Sequence, residues 1–233
     1  MTRPCLGGPS AVPPELIVPA YFHPEVRRPD WASLVEHAAH IRIIVHNPAS
    51  GPGELRDESF ADPLRLLEAA GTQVIGYVDT NYAQRPAAEI LDDFERHVEW
   101  YGVTGVFFDR VPTAADDVAH YARLSREVRK MGARVVAFNH GTHPVAAYAE
   151  HGDLLGTFEG TWDTYVGATI PRWARSRRSA RFFHLVYSVP RECFGDAFLL
   201  AARRRAGCVY VTDQGGINPW DRLPACEYDP QSY

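Results

Sequence analysis

The chain has 233 residues, of which 45% are hydrophobic, and a formal net charge of −5. This length and composition suit one globular domain with a sizeable core. The mildly acidic balance argues against a nucleic-acid surface. No apolar run approaches the roughly 18 residues of a membrane span, so we expect neither a nucleic-acid partner nor a membrane partner.

Residues 1–14 are rich in Pro and Gly and are predicted to form a disordered lead-in, which leaves residues 15–233 as one domain. This segment lacks an apolar h-region, so it predicts no signal peptide and a cytoplasmic location for the chain as written. The cysteines form no CxxC pair and have no zinc spacing, and buried free thiols are favoured over one disulfide, which would require export. They are Cys5, Cys193, Cys208 and Cys226.

From residue 15 onwards, a pattern of short apolar strand, polar loop and, usually, helix repeats eight times. The predicted strands are residues 16–21, 41–45, 73–78, 105–109, 134–139, 154–159, 182–187 and 208–213. Eight strands that alternate with helices predict a parallel sheet closed into a (β/α)8 TIM barrel, within the α/β class. A doubly wound open sheet is the alternative. The Rossmann and P-loop fingerprints are absent, so no nucleotide cofactor is expected.

Apolar residues at helical spacing predict helices in most of the segments between the strands. Helices are predicted at about residues 63–70, 86–101, 115–131 and 193–205, and the first three are each followed by a glycine, which is a usual C-terminal signal. Asp30 is predicted to cap a short helix after the first strand. Another short helix is expected to end at about Glu150.

The fourth predicted strand, residues 105–109, has the composition of a strand buried on both faces and ends on Asp109. In a barrel, the carboxyl ends of the strands converge on one pocket. The ends and following loops here supply a polar and acidic set that suits a sugar and lacks a basic cluster for phosphate. The set is Tyr21, His23, Asn47, Asp79, Asp109, Asn139, His140, Glu159, Tyr187 and Asp213.

Two carboxylates across such a pocket are the minimum for glycosidic cleavage, because one protonates the leaving oxygen and the other attacks the anomeric carbon or activates water. Asp109 and Glu159 end strands four and six and are the predicted pair. Asp79 and Asp213 are favoured as loop caps or substrate acceptors. The predicted substrate contacts, which include aromatic platforms for a sugar ring, are Tyr21, His23, Asn47, Tyr77, Asp79, Tyr82, Asn139, Trp162, Tyr187 and Asp213.

His140 and His143 look like half of a metal site, but their spacing matches neither HExxH nor a zinc finger. The sequence therefore predicts no metal and no other cofactor. A metal-dependent hydrolase that uses these two histidines is kept as a minor alternative. The arginines at residues 172–181 and 203–205 are interpreted as solvated faces.

Four motifs in order resemble the spherulin-4 family (spherulation-specific family 4), from about residue 15 to 165 and more weakly beyond. They are VPAYFHP at residues 18–24, NPASGPG at 47–53, GYVDT at 76–80 and GVFFD at 105–109. The resemblance implies a (β/α)8 barrel related to glycoside hydrolases that cut α-1,4-linked galactosamine and N-acetylgalactosamine polymers. It also implies Asp109 as nucleophile and Glu159 as acid/base in a retaining mechanism, with a polysaccharide or oligosaccharide as substrate.

The chain departs from these relatives at two positions. Arg110 stands where several relatives have Glu, and His140 stands where they often have Pro. An arginine paired with Asp109 would lower the pKa of that carboxylate and occupy it, so a non-catalytic or degenerate carbohydrate-binding barrel is the main alternative. Relatives are commonly secreted, which leaves the location of this chain open.

Overall fold

The computed structural model describes residues 13–224 and contains a closed barrel of eight parallel strands in the order β1 to β8. The strands are β1 (Glu15–Ala20), β2 (Ile41–His46), β3 (Gln73–Asp79), β4 (Gly105–Asp109), β5 (Val135–Asn139), β6 (Leu154–Thr161), β7 (Phe182–Tyr187) and β8 (Cys208–Val211). The predicted (β/α)8 fold is confirmed. Most of the predicted lead-in, together with residues 225–233, lies outside the described residues.

Helices lie between the strands on the outside of the barrel. They are α1 (Arg28–Glu36), α2 (Ala61–Ala69), α3 (Ala87–Tyr101), α4 (Val118–Lys130), α5 (Trp162–Val166), α6 (Arg172–Arg175) and α7 (Phe194–Arg203). A 3-10 helix, Ala146–Glu150, forms the connection after β5. Within the described chain, none of the helices has the length and apolar character that a membrane crossing needs.

The prediction that Asp30 caps the first helix is wrong. Asp30 lies inside the first turn of α1, and the residue before the helix is Arg27, which makes no side-chain cap. Pro at the start of the helix presets the backbone there. The carboxylate of Asp30 still complements the positive end of the helix dipole, although it does not cap the backbone.

Strand β4 lies at the centre of the packing, because Val106, Phe107 and Phe108 are fully buried. Phe107 contacts Phe183 across the barrel, with ring centroids 5.6 Å apart. Phe108 stacks on Phe138 of the neighbouring strand at 6.0 Å. Aromatic side chains thus fill both faces of this strand, so its end at Asp109 is held rigidly.

An irregularity in strand β6 changes which of its side chains face the inside of the barrel. The pairing of β6 with β7 shifts between Gly156 and Phe158, and a one-residue slip reverses the face to which each side chain points. Phe158 packs against Tyr165 of α5, with centroids 4.5 Å apart, while Glu159 lines a pocket at the barrel mouth. The bulge therefore aims Glu159 at the pocket.

Candidate active site

Asn139 joins the two carboxylates that the sequence singles out. Its Nδ2 donates one hydrogen bond to Asp109 Oδ1 at 2.7 Å and another to Glu159 Oε2 at 2.6 Å. Because both oxygens lie on one nitrogen, they cannot be farther apart than the two lengths together, about 5.3 Å. Asp109, Asn139 and Glu159 end or lie near the end of β4, β5 and β6, so three adjacent strands build this cluster.

The surroundings of the two carboxylates change their acidities. Burial, and then the charge of Asp109, raise the pKa of Glu159 to about 7. Burial also raises the pKa of Asp109, but hydrogen bonds from Asn139 and Tyr77 oppose that effect. A pair of neighbouring carboxyl groups with one strongly raised pKa can hold one proton and one negative charge near neutral pH.

Two tyrosines surround the Asp109 carboxylate. Tyr77 donates its hydroxyl to Asp109 Oδ2 at 2.8 Å, so each oxygen of Asp109 accepts a hydrogen bond. Burial, and then the negative charge of Asp109, raise the pKa of Tyr77, which keeps the hydroxyl protonated as a donor. Tyr21 packs edge-on against Tyr77, with centroids 5.4 Å apart, and burial raises its pKa as well.

Trp220 is a residue of the site that sequence reasoning missed. It lies in the loop that follows β8, is 5% exposed and acts to lower the pKa of Glu159. It also contacts Tyr187 and Tyr210, each with a centroid distance of 5.7 Å. No strand, helix or spacing pattern marks this tryptophan in the sequence, so only its folded position reveals the contact.

Arg110 does not neutralise Asp109. Its Nε lies 3.2 Å from Asp79 Oδ1, its Nη2 donates to the side chain of Asn81, and its guanidinium carbon lies 5.3 Å from the centre of the Tyr82 ring. The side chain of Asp79 therefore holds the arginine at the edge of the site. The pairing of Arg110 with Asp109 that the non-catalytic alternative invokes is not formed.

A pocket of about 310 Å³ opens over these groups. Its size is at the lower end of the roughly 300–1,000 Å³ found for small-molecule sites. The lining includes both carboxylates and three of the predicted substrate contacts, together with Arg110, His140 and Gly141, which were not among those contacts. The full lining is Tyr82, Asp109, Arg110, Asn139, His140, Gly141, Glu159 and Tyr187.

Seven of the ten predicted substrate contacts do not line this pocket. The contacts of three, Tyr21, Tyr77 and Asp79, are given above, and the other four make contacts of their own. His23 Nε2 lies 2.8 Å from Asp57 Oδ2, and Asn47 Oδ1 accepts from the Gly51 amide at 2.8 Å. Trp162 packs near Tyr165, with centroids 6.4 Å apart. Asp213 accepts from Arg191 at 3.1 Å. Their contact with a substrate stays a prediction.

The histidines that resembled half of a metal site are used in packing. His140 Nδ1 lies 2.8 Å from the Pro112 carbonyl, and its ring lies 4.6 Å from that of Tyr148. His143 packs edge-on against Trp173. Across residues 13–224, no group of three His, Cys, Asp or Glu side chains could hold a metal ion.

The two cysteines within the described residues, Cys193 and Cys208, are free thiols, and Cys208 is buried. Burial raises the pKa of Cys208 to about 11, which keeps it as an unreactive thiol. Cys5 and Cys226 lie outside the described residues. The described pair therefore has a packing role.

These features define a class of protein: a closed (β/α)8 barrel with two hydrogen-bonded acidic side chains at the carboxyl ends of its strands. The chain belongs to spherulation-specific family 4, whose family model matches residues 15–227. The resemblance inferred from the four sequence motifs is thereby confirmed.

Individual relatives extend this assignment. The chain is 28% identical over 153 residues to Spherulin-4 of Physarum polycephalum, a match that covers 64% of this chain and 46% of the relative. The chain thus spans about half the length of that relative.

Two solved structures have the same fold. One is the crystal structure of Aspergillus clavatus Sph3 in complex with GalNAc, with a TM-score of 0.79, 23% identity and coverage of 92% of this chain and 94% of that one. The other is the chitinase ChiC of Aspergillus fumigatus, with a TM-score of 0.56, 14% identity and coverage of 94% and 96%.

Proposed function

We propose that this protein is a glycoside hydrolase that cleaves α-1,4-linked polymers of galactosamine or N-acetylgalactosamine type. The observation that supports this most is the sharing of one Asn139 amide by Asp109 and Glu159, which limits their facing oxygens to about 5.3 Å. Carboxyl groups about 5–5.5 Å apart are typical of retaining glycosidases, whereas inverting enzymes need roughly 6.5–9.5 Å for a water molecule. Family membership and the fold shared with Sph3, solved with GalNAc, agree with a carbohydrate substrate.

In the first half of the reaction, Glu159 is the general acid. Its raised pKa, about 7, keeps a proton on the carboxyl group under mildly acidic conditions, and that proton passes to the glycosidic oxygen as the bond to the anomeric carbon breaks. Asp109, whose two oxygens accept hydrogen bonds from Tyr77 and Asn139 that lower its pKa, attacks the anomeric carbon and forms a glycosyl ester. The leaving sugar departs with the proton as a free hydroxyl.

In the second half, Glu159 is a carboxylate and acts as the base. It takes a proton from a water molecule whose oxygen attacks the anomeric carbon, and the bond to Asp109 breaks. The site regains its starting protonation state. One water molecule has been consumed, and the glycosidic bond is replaced by a free hydroxyl group on one product and a new reducing end on the other. Two inversions at the same carbon retain its configuration.

The neighbouring residues position the pair for these steps. Tyr77 and Asn139 each donate to one oxygen of Asp109, which fixes the orientation of the nucleophile. Trp220 lowers the pKa of Glu159 and so favours its charged form, which assists the step in which Glu159 becomes a base. Tyr82 and Tyr187 at the edge of the pocket are the aromatic surfaces proposed to contact the sugar rings.

The pairing of Arg110 with Asp79 favours an enzyme over a non-catalytic binding barrel, because it leaves the Asp109 carboxylate available to the pocket. The metal-dependent alternative has no support from the contacts of His140 and His143. We therefore expect full activity in excess chelator. Loss of activity on chelation, restored by a divalent cation, would instead favour the metal route.

The proposal is tested by incubating α-1,4-linked galactosamine and N-acetylgalactosamine oligosaccharides with wild type, Asp109→Asn and Glu159→Gln, and reading products by mass spectrometry. Losing the acid/base residue should cost roughly 10²–10⁴-fold in rate, and losing the nucleophile at least as much. Asp163→Asn is the matched control, since Asp163 is an exposed carboxylate on α5, outside the pocket. Proton NMR of the first product should show retention of configuration.

Either of two results would contradict the proposal. One is an Asp109→Asn variant that cleaves as fast as wild type, which would remove the nucleophile from the mechanism. The other is a wild type that binds these oligosaccharides and cleaves none of them from pH 4 to pH 8. That second result would support the carbohydrate-binding alternative.

A further inference from the structure

Arg110 follows Asp109 directly, and its backbone has a positive φ of 55°. In the facing loop after β3, three consecutive residues also have a positive φ: Asn81, Tyr82 and Ala83, with values of 45°, 55° and 66°. The two loops are joined by a hydrogen bond from the Tyr82 amide to the Arg110 carbonyl at 2.8 Å. Non-glycine residues seldom adopt this conformation, and they cluster at binding and active sites.

The guanidinium group of Arg110 is fixed at the edge of the pocket and still has N–H donors without a partner among the contacts that fix it. It is ion-paired with Asp79, donates to Asn81 and stacks on the Tyr82 ring. A guanidinium group has five N–H donors, and these two polar partners leave donors over. The side chain is 40% exposed and lines the same pocket as Asp109 and Glu159.

We propose that Arg110 makes the pocket selective for N-acetylated sugar units over units with a free amine, an inference that rests on the proposed glycoside hydrolase function. A free amino sugar bears an ammonium group, which a fixed guanidinium repels. An acetamido group is uncharged, and its carbonyl oxygen accepts an N–H donor. The same side chain thus disfavours one form of the sugar and favours the other.

The charges around the pocket support this selectivity. Asp79, which could otherwise attract an ammonium group, is engaged by Arg110 and by the Asn81 amide at 2.7 Å. Of the residues that line the pocket, Asp109 and Glu159 are the acidic ones, and both are bound to Asn139. The edge of the pocket therefore presents the remaining N–H donors of the Arg110 guanidinium group, while the two acidic side chains of the lining are already hydrogen-bonded to Asn139.

The test compares kcat/KM on fully N-acetylated and fully de-N-acetylated galactosamine oligosaccharides of equal length. Wild type is expected to prefer the N-acetylated form. Arg110→Gln should lower that preference by roughly five- to tenfold, while Arg110→Lys, which keeps the charge, should largely retain it. Arg129→Gln is the matched control, because Arg129 is ion-paired with Asp153 at similar exposure and lies outside the pocket.

Salt gives a readout that a purely structural role would not change. Raising NaCl from 0.05 M to 0.5 M screens exposed charges, so discrimination against the free-amine substrate should weaken in wild type and in Arg110→Lys but not in Arg110→Gln. A structural role would instead lower both rates together. Thermal melting of each variant establishes that the fold is intact.

The inference is overturned if wild type prefers the free-amine substrate, or if the preference is the same in wild type and Arg110→Gln. Failure of the proposed function would be distinct, because wild type would then cleave neither oligosaccharide. In that event, the ratio of the two binding constants, measured by calorimetry for wild type and Arg110→Gln, decides the inference. An unchanged ratio, or no binding of either sugar, would reject it.

Discussion

The two sides of the barrel mouth use the same kinds of residue in different ways. On the side of β3 to β6, the strand ends supply Tyr77, Asp109, Asn139 and Glu159, which bond to one another beneath an open pocket. On the side of β1 and β2, polar residues bond to partners in the loops of that side, as His23 after β1 does with Asp57 after β2. A polar residue at a strand end is therefore weak evidence of chemistry unless its neighbours leave it facing the pocket.

The register of the sheet explains the difference. Asp79 and Asp109 are paired across β3 and β4, and Asn139 is paired with Gly156 across β5 and β6. Neighbouring strands lie about 4.8 Å apart, so short side chains at successive strand ends can reach one another directly. The segment after β2 is longer, and its Asp57 and Ser59 fold back to contact His23. The Nε2 atom of His23 therefore has hydrogen-bond partners away from the pocket.

Among variants that test this difference between the two sides of the mouth, Asn139→Ala is expected to have the largest effect on kcat/KM. The variant removes both N–H donors that join the two carboxylates, so kcat/KM should fall roughly 10²-fold, as for other single donors that organise a catalytic charge. Those donors lower the pKa of Asp109 and of Glu159. Both limbs of the pH profile of kcat/KM should therefore move to higher pH.

Asn47→Ala is the control for that experiment, because Asn47 is the corresponding asparagine of the other side and bonds to the Gly51 amide. We expect it to change kcat/KM less than threefold and to leave the pH profile in place. Equal losses in the two variants would show that the two sides of the mouth do not differ.

A second effect concerns the stability of the protein, because burial removes the carboxyl group of Glu159 from water and disfavours its charged form. The folded-state pKa of Glu159, about 7, is raised from its usual 4.5. Below pH 4.5 the group is protonated in both the folded and unfolded states and costs nothing. Between pH 4.5 and 7 the folded state binds more protons, so the free energy of unfolding falls as pH rises.

Glu159→Gln is uncharged at every pH and should avoid this loss. At pH 8 its free energy of unfolding should exceed that of wild type by up to about 3 kcal/mol, from 1.36 kcal/mol per pKa unit, while at pH 4 the two should be similar. Urea unfolding at both pH values measures the difference. A variant less stable than wild type at pH 8 would mean that the ionised Glu159 is stabilised within the site.

Strand β6 provides a smaller test on the side that holds the carboxylates. A Cβ at Gly156 would lie 2.4 Å from Asn139 Oδ1 and 2.5 Å from Phe183, so Gly156→Ala should displace the asparagine. We expect roughly tenfold lower kcat/KM and about 1–3 kcal/mol lower stability from overpacking. Gly167→Ala is the control, because its Cβ would meet nothing closer than 3.9 Å.

The sequence was sufficient for the fold and for the proximity of Asp109 and Glu159, whose catalytic roles stay a prediction. The eight strands were marked by apolar runs, and all were found within two residues of their predicted ends. Asp109 and Glu159 were predicted because each follows such a run, and their approach follows from barrel geometry. The helix boundaries were less accurate, as at Asp30, because capping depends on backbone angles that composition does not fix.

What the sequence did not provide was the partner of each polar residue. The non-catalytic alternative required Arg110 beside Asp109, whereas Arg110 is found on Asp79, because a left-handed backbone turns its side chain towards the loop after β3. Trp220 lies beyond the last strand, and its effect on the pKa of Glu159 depends on how that loop folds over the mouth. Such contacts arise from tertiary packing and have no periodic signature.

The smallest effects are expected from the loop after β1. His23→Gln removes the contact with Asp57, in which the side chains are 32% and 40% exposed, so stability should fall by no more than about 1 kcal/mol. Because His23 does not line the pocket, kcat/KM should stay within threefold of wild type, whereas Tyr187→Ala, which removes a ring that does, should cost roughly tenfold. If His23→Gln were as damaging as Tyr187→Ala, the substrate would extend across the whole mouth, and the loops after β1 and β2 would belong to its binding site.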